Sequence, residues 1–346
     1  MVKRLLGILV LMILFSVICS CSNKTAVSQS AIPFFYLTMP INDQTAKAYP
    51  GYWDIDNGTA KFSLDPIFIV TSTGSWDYNY TWDGNKDILL LASDPSIFAF
   101  PNSAYNCVAL KTDEPGSMLK YQPDLNTTIL SGRTYIEIRH GSEIKKIEVS
   151  KILPKGIEID RAIDLSAING QIEVTLECND LTGSYLYLVR YSNESLTYKK
   201  LTGNLGIIEA DSGTQMLRLG NIVYIGEQSA DIKEVNLNTG VITKSSELNN
   251  IIANFKKDYV KYTAYESSPT LFYNNGYLFL EWFPAVIDSP QGDRKYNVGL
   301  LAALKDDKIQ GMIKIYKDKA MIIKGDITSE VIKLPDNMLP SIELPR

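Results

Sequence analysis

From about residue 49 onward the chain is a succession of short apolar or alternating runs, each closed by Gly, Asn, Asp or Ser, and that rhythm restricts the fold more than any other feature. Alternation with period two puts one set of side chains on each face of an extended segment, and turn residues then bring successive segments side by side. Strands are predicted at 66–71, 87–92, 134–139, 143–149, 172–178, 185–191, 221–226, 232–237, 277–282, 298–304, 311–316 and 319–324. Hairpin chemistry stands between them, as Asn57-Gly58, His140-Gly141, Asn169-Gly170, Asn238-Thr239-Gly240 and Asn275-Gly276, because tight hairpins need residues that tolerate positive φ. Twenty tyrosines, 11 phenylalanines and 4 tryptophans suit the same pleated, half-buried surfaces. One segment departs from the rhythm. Leu248, Ile251, Ile252, Phe255 and Tyr259 recur at helical spacing after Ser245-Ser246, so a serine-capped amphipathic helix is predicted over 246–260.

Two stretches share a finer grammar. Residues 170–203, GQIEVTLECNDLTGSYLYLVRYSNESLTYKKLTG, and 219–244, LGNIVYIGEQSADIKEVNLNTGVITK, each read strand, polar turn, strand, Asn-centred turn, strand. They resemble the repeats of extracytoplasmic bacterial β-propellers, in which a sequence like Val-Asn-Leu-Asn-Thr-Gly at 235–240 closes a blade's third strand and turns into its fourth; residues 311–334 form a looser copy. At roughly 40 to 50 residues per blade, the resemblance implies an all-β, propeller-like domain of about six or seven blades with one helical insertion. Residues 46–165 do not repeat the grammar, which leaves a β-sandwich or two smaller β domains as the alternatives.

The first residues, MVKRLLGILVLMILFSVICSCSNK, place Lys3 and Arg4 before an apolar run of 15 residues ending at Cys19. A membrane-spanning helix needs roughly 17 to 25 apolar residues, so this run has the length of a signal peptide rather than of a permanent anchor. Ile18-Cys19-Ser20-Cys21 puts a branched apolar residue three positions before a cysteine and a small residue directly before it. This resembles the lipobox of bacterial lipoproteins. The resemblance implies a diacylglyceryl thioether on Cys21 and cleavage that leaves it as the modified N-terminus; multiple acyl chains on one residue are enough for stable anchoring where one is marginal. The expected division is 1–20 signal peptide, 21–45 lipidated N-terminus and flexible tether, and 46–346 folded domain, with the polar SNKTAVSQSAI at 22–32 as the plainest tether.

Charge narrows the partners. The full chain carries 34 basic and 39 acidic residues; removal of Lys3 and Arg4 with the signal leaves 32 against 39, a formal charge of −7. Basic pairs such as Lys145-Lys146, Lys199-Lys200 and Lys256-Lys257 stand apart in sequence, which excludes the basic footprint that nucleic acid requires. Membrane attachment therefore falls to the lipid. Besides the anchor, the mature chain has Cys107 and Cys178. Outside the cytosol they can pair, closing a loop that contributes about 4 kcal/mol in the chain-entropy account, or they can sit as two separate buried thiols; sequence leaves both open.

Few residues suggest chemistry. The single histidine, His140, sits before Gly141 in a predicted turn, which suits a solvated hairpin residue better than a catalytic base, and one histidine excludes any polyhistidine metal site. Asp83, Asn85, Asp87 and Asp94 match positions 1, 3, 5 and 12 of a calcium loop, but Ile88 stands where the loop needs glycine and opens a run that reads as a strand. Asp54 and Asp56, like Asp77 and Asn79, share a face of an extended segment and read as surface turn residues. No P-loop, dinucleotide fingerprint, nucleophile elbow, zincin helix or CxxC motif occurs, and neither a catalytic residue nor a cofactor or metal is assigned. The feature above background is aromatic. Residues 74–84, GSWDYNYTWDG, hold Trp76, Tyr78, Tyr80 and Trp82, with Trp53 shortly before. Flat rings interleaved with Asp and Asn suit a sugar-stacking or peptide-binding surface; packing into a sheet or propeller core is the competing reading.

The expectation is thus a lipid-anchored, extracytoplasmic protein of the cell membrane or outer membrane, with a non-enzymatic binding or scaffold role toward an envelope peptide, protein or glycan. The alternative is an envelope glycan-processing enzyme that uses carboxylates alone, since such pairs need only converge in space.

Overall fold

The computed structural model describes residues 31–38, 46–63, 65–70, 78–82, 87–91, 98–99, 106–109, 118–122, 127–132, 134–168, 171–203, 215–227, 229–260, 262–265, 268–287, 295–316, 319–334 and 338–343, with strand backbone alone between 71 and 126. All of it is β-structure apart from turns and one α-helix, which ends one residue before the predicted 246–260 segment does. No described helix is long and apolar enough to cross a membrane.

The first and last described strands build one sheet. It contains β1 (Ala31–Thr38), β2 (Ala46–Asp54), β3 (Thr59–Phe62), β4 (Phe68–Val70), β7 (Phe98–Ala99) and β29 (Met338–Glu343), in the order β29-β1-β2-β4-β7 with β3 beside β2. The rest is a five-blade, propeller-like arrangement. Blade 1 holds β5 (Tyr78–Trp82), β6 (Asp87–Leu91) and β8 (Asn106–Ala109). Blade 2 is a four-stranded meander of β9 (Met118–Gln122), β10 (Thr127–Ser131), β11 (Tyr135–His140) and β12 (Glu143–Glu148). Blade 3 repeats it with β13 (Glu158–Ile168), β14 (Gln171–Asp180), β15 (Gly183–Ser192) and β16 (Ser195–Lys200). Blade 4 does so again with β17 (Gln215–Leu219), β18 (Ile222–Gly226), β19 (Ile232–Asn236) and β20 (Ile242–Lys244). The helix α1 (Ser246–Tyr259) follows. Blade 5 belongs to an eight-stranded sheet of β21 (Tyr262–Tyr265), β22 (Thr270–Asn274), β23 (Tyr277–Trp282), β24 (Ala285–Ile287), β25 (Lys295–Lys305), β26 (Lys308–Tyr316), β27 (Lys319–Lys324) and β28 (Ile327–Lys333).

The edge strands β5, β9, β13, β17 and β22 touch in that sequence and form the inner layer of the arrangement. Five blades replace the expected six or seven. The count from chain length failed because the terminal sheet is not a blade and because one sheet takes up most of residues 262–333. The grammar itself held in the repeats that carried it. The Val-Asn-Leu-Asn-Thr-Gly stretch ends β19 and turns into β20: Asn236 Oδ1 accepts from the Asn238 and Thr239 amides at 2.9 and 3.2 Å, and Gly240 takes φ +71°.

Apolar faces close the seams described from blade 2 to blade 5. Ile129 and Ile136 of blade 2 meet Ile172, Val174, Leu176 and Cys178 of blade 3. Ile163 and Leu186 of blade 3 meet Val223, Ile225 and Val235 of blade 4. Helix α1 lays Leu248, Ile251, Ile252 and Phe255 between blade 4 and blade 5, against Trp282, Leu280 and Leu300. Its first residue follows Ser245 as predicted, but the Ser245 side chain makes no capping hydrogen bond. The terminal sheet then packs Ile32, Phe34, Tyr36 and Trp53 against Phe279, Leu301, Ile313 and Ile322 of blade 5. This overturns part of the expected tether. Residues 31–38 are a strand with Phe34 and Tyr36 fully buried, because the apolar Ile-Pro-Phe-Phe-Tyr-Leu has a sheet face waiting that a polar flanking sequence conceals.

Candidate functional site

On β14 the residues alternate, with Ile172, Val174, Leu176 and Cys178 directed to the core with blade 2 and Glu173, Thr175, Glu177 and Asn179 on the face toward blade 4. Such alternation usually leaves the polar face in water. Here blade 4 covers it, so Thr175 and Glu177 are completely buried. Buried polar groups must find partners, and the neighbouring strands supply them.

The innermost strand of blade 3 is bent to do so. The pairing of β13 with β14 shifts register twice, between Ile159 and Arg161 and between Ala162 and Asp164. A bulge sets two residues opposite one and re-aims the side chains beyond it. The consequence is that Arg161 stands opposite Glu177 and Asp164 opposite Thr175. Arg161 Nε donates to Glu177 Oε2 at 2.7 Å. From blade 4, Arg218 Nη1 donates to Thr175 Oγ1 at 2.9 Å, while its Nε donates to the Gly220 carbonyl at 3.1 Å. Farther along the same face Arg190 Nε donates to Glu173 Oε1 at 2.6 Å, and Gln171 Nε2 donates to that oxygen at 2.9 Å.

Two acceptors on this face are left over. Glu177 Oε1 and Asn179 Oδ1 are buried without a hydrogen-bond partner. Burial pushes the Glu177 carboxyl above its ordinary range, against the pull of the Arg161 guanidinium and with Asp160 adding to the rise. The seam between blades 3 and 4 therefore holds a fully buried carboxylate behind a bulged inner strand.

The aromatic candidates separate. Trp53 is fully buried, packs edge-on to Phe279 at 6.2 Å, and belongs to the core rather than to an exposed surface. Tyr78, Tyr80 and Trp82 lie on β5, at alternate positions of an inner strand, and their side chains fall outside the described residues, as does Trp76 altogether. Cys21 also lies outside. Cys178 is a free thiol, fully buried, and burial pushes its pKa up to about 12; the Cys107 side chain is outside the description, although its backbone lies on β8. His140 is exposed at the β11–β12 hairpin, its Nδ1 within 3.2 Å of Thr127 Oγ1. Ile88 lies on β6, the strand predicted in place of a calcium loop, whereas Asp83, Asn85 and Asp94 are outside the described residues. Asp54 holds the turn after β2 by accepting from the Asn57 amide at 3.0 Å, and Asp56 Oδ1 accepts from the Tyr277 hydroxyl at 3.2 Å. Among the described residues no group of three or more His, Cys, Asp or Glu comes together that could hold a metal ion.

Arg161, Glu177 and Arg218 were not singled out from the sequence. Glu173, Thr175, Glu177 and Asn179 look like the wet face of a strand, and only the covering blade makes them interior. The two bulges that align Arg161 carry no glycine or proline signal.

No family model matches this sequence, and no curated protein matches it. Solved structures do match. A structure from work on two prolyl endopeptidases is 12% identical over 91% of this chain and 49% of that one, with a TM-score of 0.38. The computationally designed Ika8 protein is 8% identical over 87% of this chain and 96% of its own, with a TM-score of 0.30. Sqt1 of Saccharomyces cerevisiae is 11% identical over 89% and 97%, with a TM-score of 0.22. This chain spans about half the length of the prolyl endopeptidase chain it matches.

Proposed function

We propose that this protein is an extracytoplasmic lipoprotein, anchored by lipid on Cys21, whose propeller-like domain binds a peptide, protein or glycan of the cell envelope in a non-enzymatic or scaffolding role. One observation carries the reading: Lys3-Arg4, a 15-residue apolar run and Ile18-Cys19-Ser20-Cys21 stand in the order that export, cleavage and lipidation require. The order of these parts matters more than any one of them, because a cysteine after a small residue means little without the apolar run before it. A domain of repeated blades gives the anchored chain many loops at the ends of one rigid body, and recognition by loops needs no titratable cluster. The aromatic residues Tyr78, Tyr80 and Trp82, on an inner strand, together with Trp76 just before it, are the groups we assign to ligand contact.

Replacing Cys21 with Ser tests the anchor. The variant should leave the membrane fraction and lose labelling by a fatty-acid probe, whereas unchanged labelling would remove the reading. For the binding role, Trp76→Ala with Trp82→Ala should leave the melting temperature nearly unchanged and weaken capture of envelope glycan or peptide, each lost stacking surface costing about 1 kcal/mol. A large drop in melting temperature instead assigns those rings to the core.

A further inference from the structure

A meander has two ends, and its turns alternate between them. In blade 3 the β13–β14 and β15–β16 turns fall at one end and the β14–β15 turn at the other. Contacts between turns carry the first of these ends across the domain. Lys145 of the β11–β12 hairpin lies 3.4 Å from Glu194 of the β15–β16 hairpin. Burial raises the Tyr224 hydroxyl on β18, and Glu234 and then Asp307 of the β25–β26 turn add to the rise, which sets that turn beside blade 4. Lys305, next to Asp306, stands over the Tyr277 ring at the β22–β23 turn, and the Tyr277 hydroxyl donates to Asp56. The Asp56 carbonyl in turn accepts from Lys324 of the β27–β28 hairpin. Ala31 pairs with Asp54 in the same corner, so the first described residue enters the fold at this end.

The same end carries most of the exposed apolar side chains. Of the eight large hydrophobic residues exposed among those described, five adjoin its turns: Ile144, Val241, Ile242, Tyr273 and Ile327. Leu181 stands at the opposite end, on the β14–β15 turn, while Tyr198 and Val331 lie along outer strands. One exposed isoleucine needs no explanation, but apolar residues beside hairpin tips of three separate sheets do, because tips favour polar residues. Charges of both signs sit among them, Lys145, Lys305 and Lys324 beside Glu194, Asp307 and Asp326.

We propose that this end of the domain rests on the headgroup layer of the membrane that holds Cys21, with Ile144, Val241 and Ile327 dipping into it. The inference rests on the lipid anchor at Cys21. Nine residues, 22–30, separate that cysteine from Ala31. A chain of that length spans roughly 17 Å on average and roughly 35 Å when pulled straight. The strands that separate the two ends exceed the average span, since the ten residues of β14 extend roughly 33 Å. The far end therefore meets the bilayer only with the linking chain almost straight, whereas the near end meets it without stretching. Aliphatic side chains at the boundary of headgroups and acyl chains are stabilised by the apolar area they remove from water. Headgroups that carry both charges suit the mixed charges around them. The β14–β15 and β18–β19 turns then face away from the membrane, open to an envelope partner.

Val241→Cys, Ile327→Cys and Leu181→Cys, each in a Cys107→Ser background, test the orientation, and all three positions are exposed, so the fold tolerates the change. The full lipidated chain, with an environment-sensitive fluorophore on the new thiol, is placed in phosphatidylcholine vesicles whose headgroups carry a nitroxide. Emission from 241 and 327 should shift to the blue and be quenched at least about twofold more than emission from 181. Quenching that is equal at the three sites, greater at 181, or absent from protein that floats with the vesicles would overturn the proposal and leave the anchor standing. Protein that fails to float removes the anchor, and this orientation with it.

Discussion

Asn249 on helix α1 pairs with both backbone groups of Ile232 on β19: its Oδ1 accepts from the Ile232 N–H at 2.9 Å and its Nδ2 donates to the Ile232 carbonyl at 2.8 Å. The same Nδ2 lies 2.6 Å from the Ser245 carbonyl at the start of the helix. One amide side chain thus ties the helix to blade 4, and it does work that the missing Ser245 cap does not.

Removing that amide should cost stability out of proportion to its size. Asn249→Leu strands the Ile232 N–H, while the Ile232 carbonyl keeps the Ser245 amide at 2.9 Å, and a loss of about 2 kcal/mol is expected. The check is a shift of the urea midpoint at unchanged slope. A loss below about 0.5 kcal/mol would mean that water replaces the amide.

Trp53 and Trp282 are both almost completely buried, in the two cores on either side of blade 5. Trp53→Ala should cost roughly 3 to 5 kcal/mol, and the milder Trp53→Phe and Trp282→Phe should each remove a blue-shifted, acrylamide-resistant part of the emission. Emission at long wavelength that vanishes with Trp53→Phe would contradict the burial.

Gly226 ends β18 where the loop before β22 crosses it, and a Cβ there would run into the Pro269 carbonyl oxygen. Backbone cannot rotate away as a side chain can. Gly226→Ala is therefore expected to cost about 1 to 3 kcal/mol of stability and to lower the melting temperature, while Gly203→Ala, with nothing within 4 Å of the added carbon, serves as the control. Equal melting curves for the two variants would disprove the close approach.

Burial that raises the Cys178 thiol to about 12 keeps it uncharged at neutral pH, and the thiolate is the reactive form. In a Cys107→Ser background, the native protein at pH 8 should protect Cys178 from thiol reagents, and one thiol besides any at Cys19 and Cys21 should appear on unfolding. Fast labelling of the native variant would show that Cys178 is reached by solvent.

Strands, turns and the one helix were legible because each is a local matter. The alternation at 172–178, the apolar run at 185–191, the Asn-Thr-Gly turn at 238–240 and the spacing of Leu248, Ile251, Ile252 and Phe255 act over a few residues, where backbone sterics and one apolar face decide the outcome. The signal and lipobox pattern is equally local, and it is the sequence that carries the expectation for Cys21. What only the tertiary structure decided is whatever depends on a second sheet arriving. It made Trp53 core, turned 31–38 from tether into strand, reduced the blades to five, and sealed Glu177 between blades 3 and 4. The reason is physical: an alternating strand specifies two faces but not what covers either, and burial, with the pairing and protonation it enforces, is a property of the covering surface.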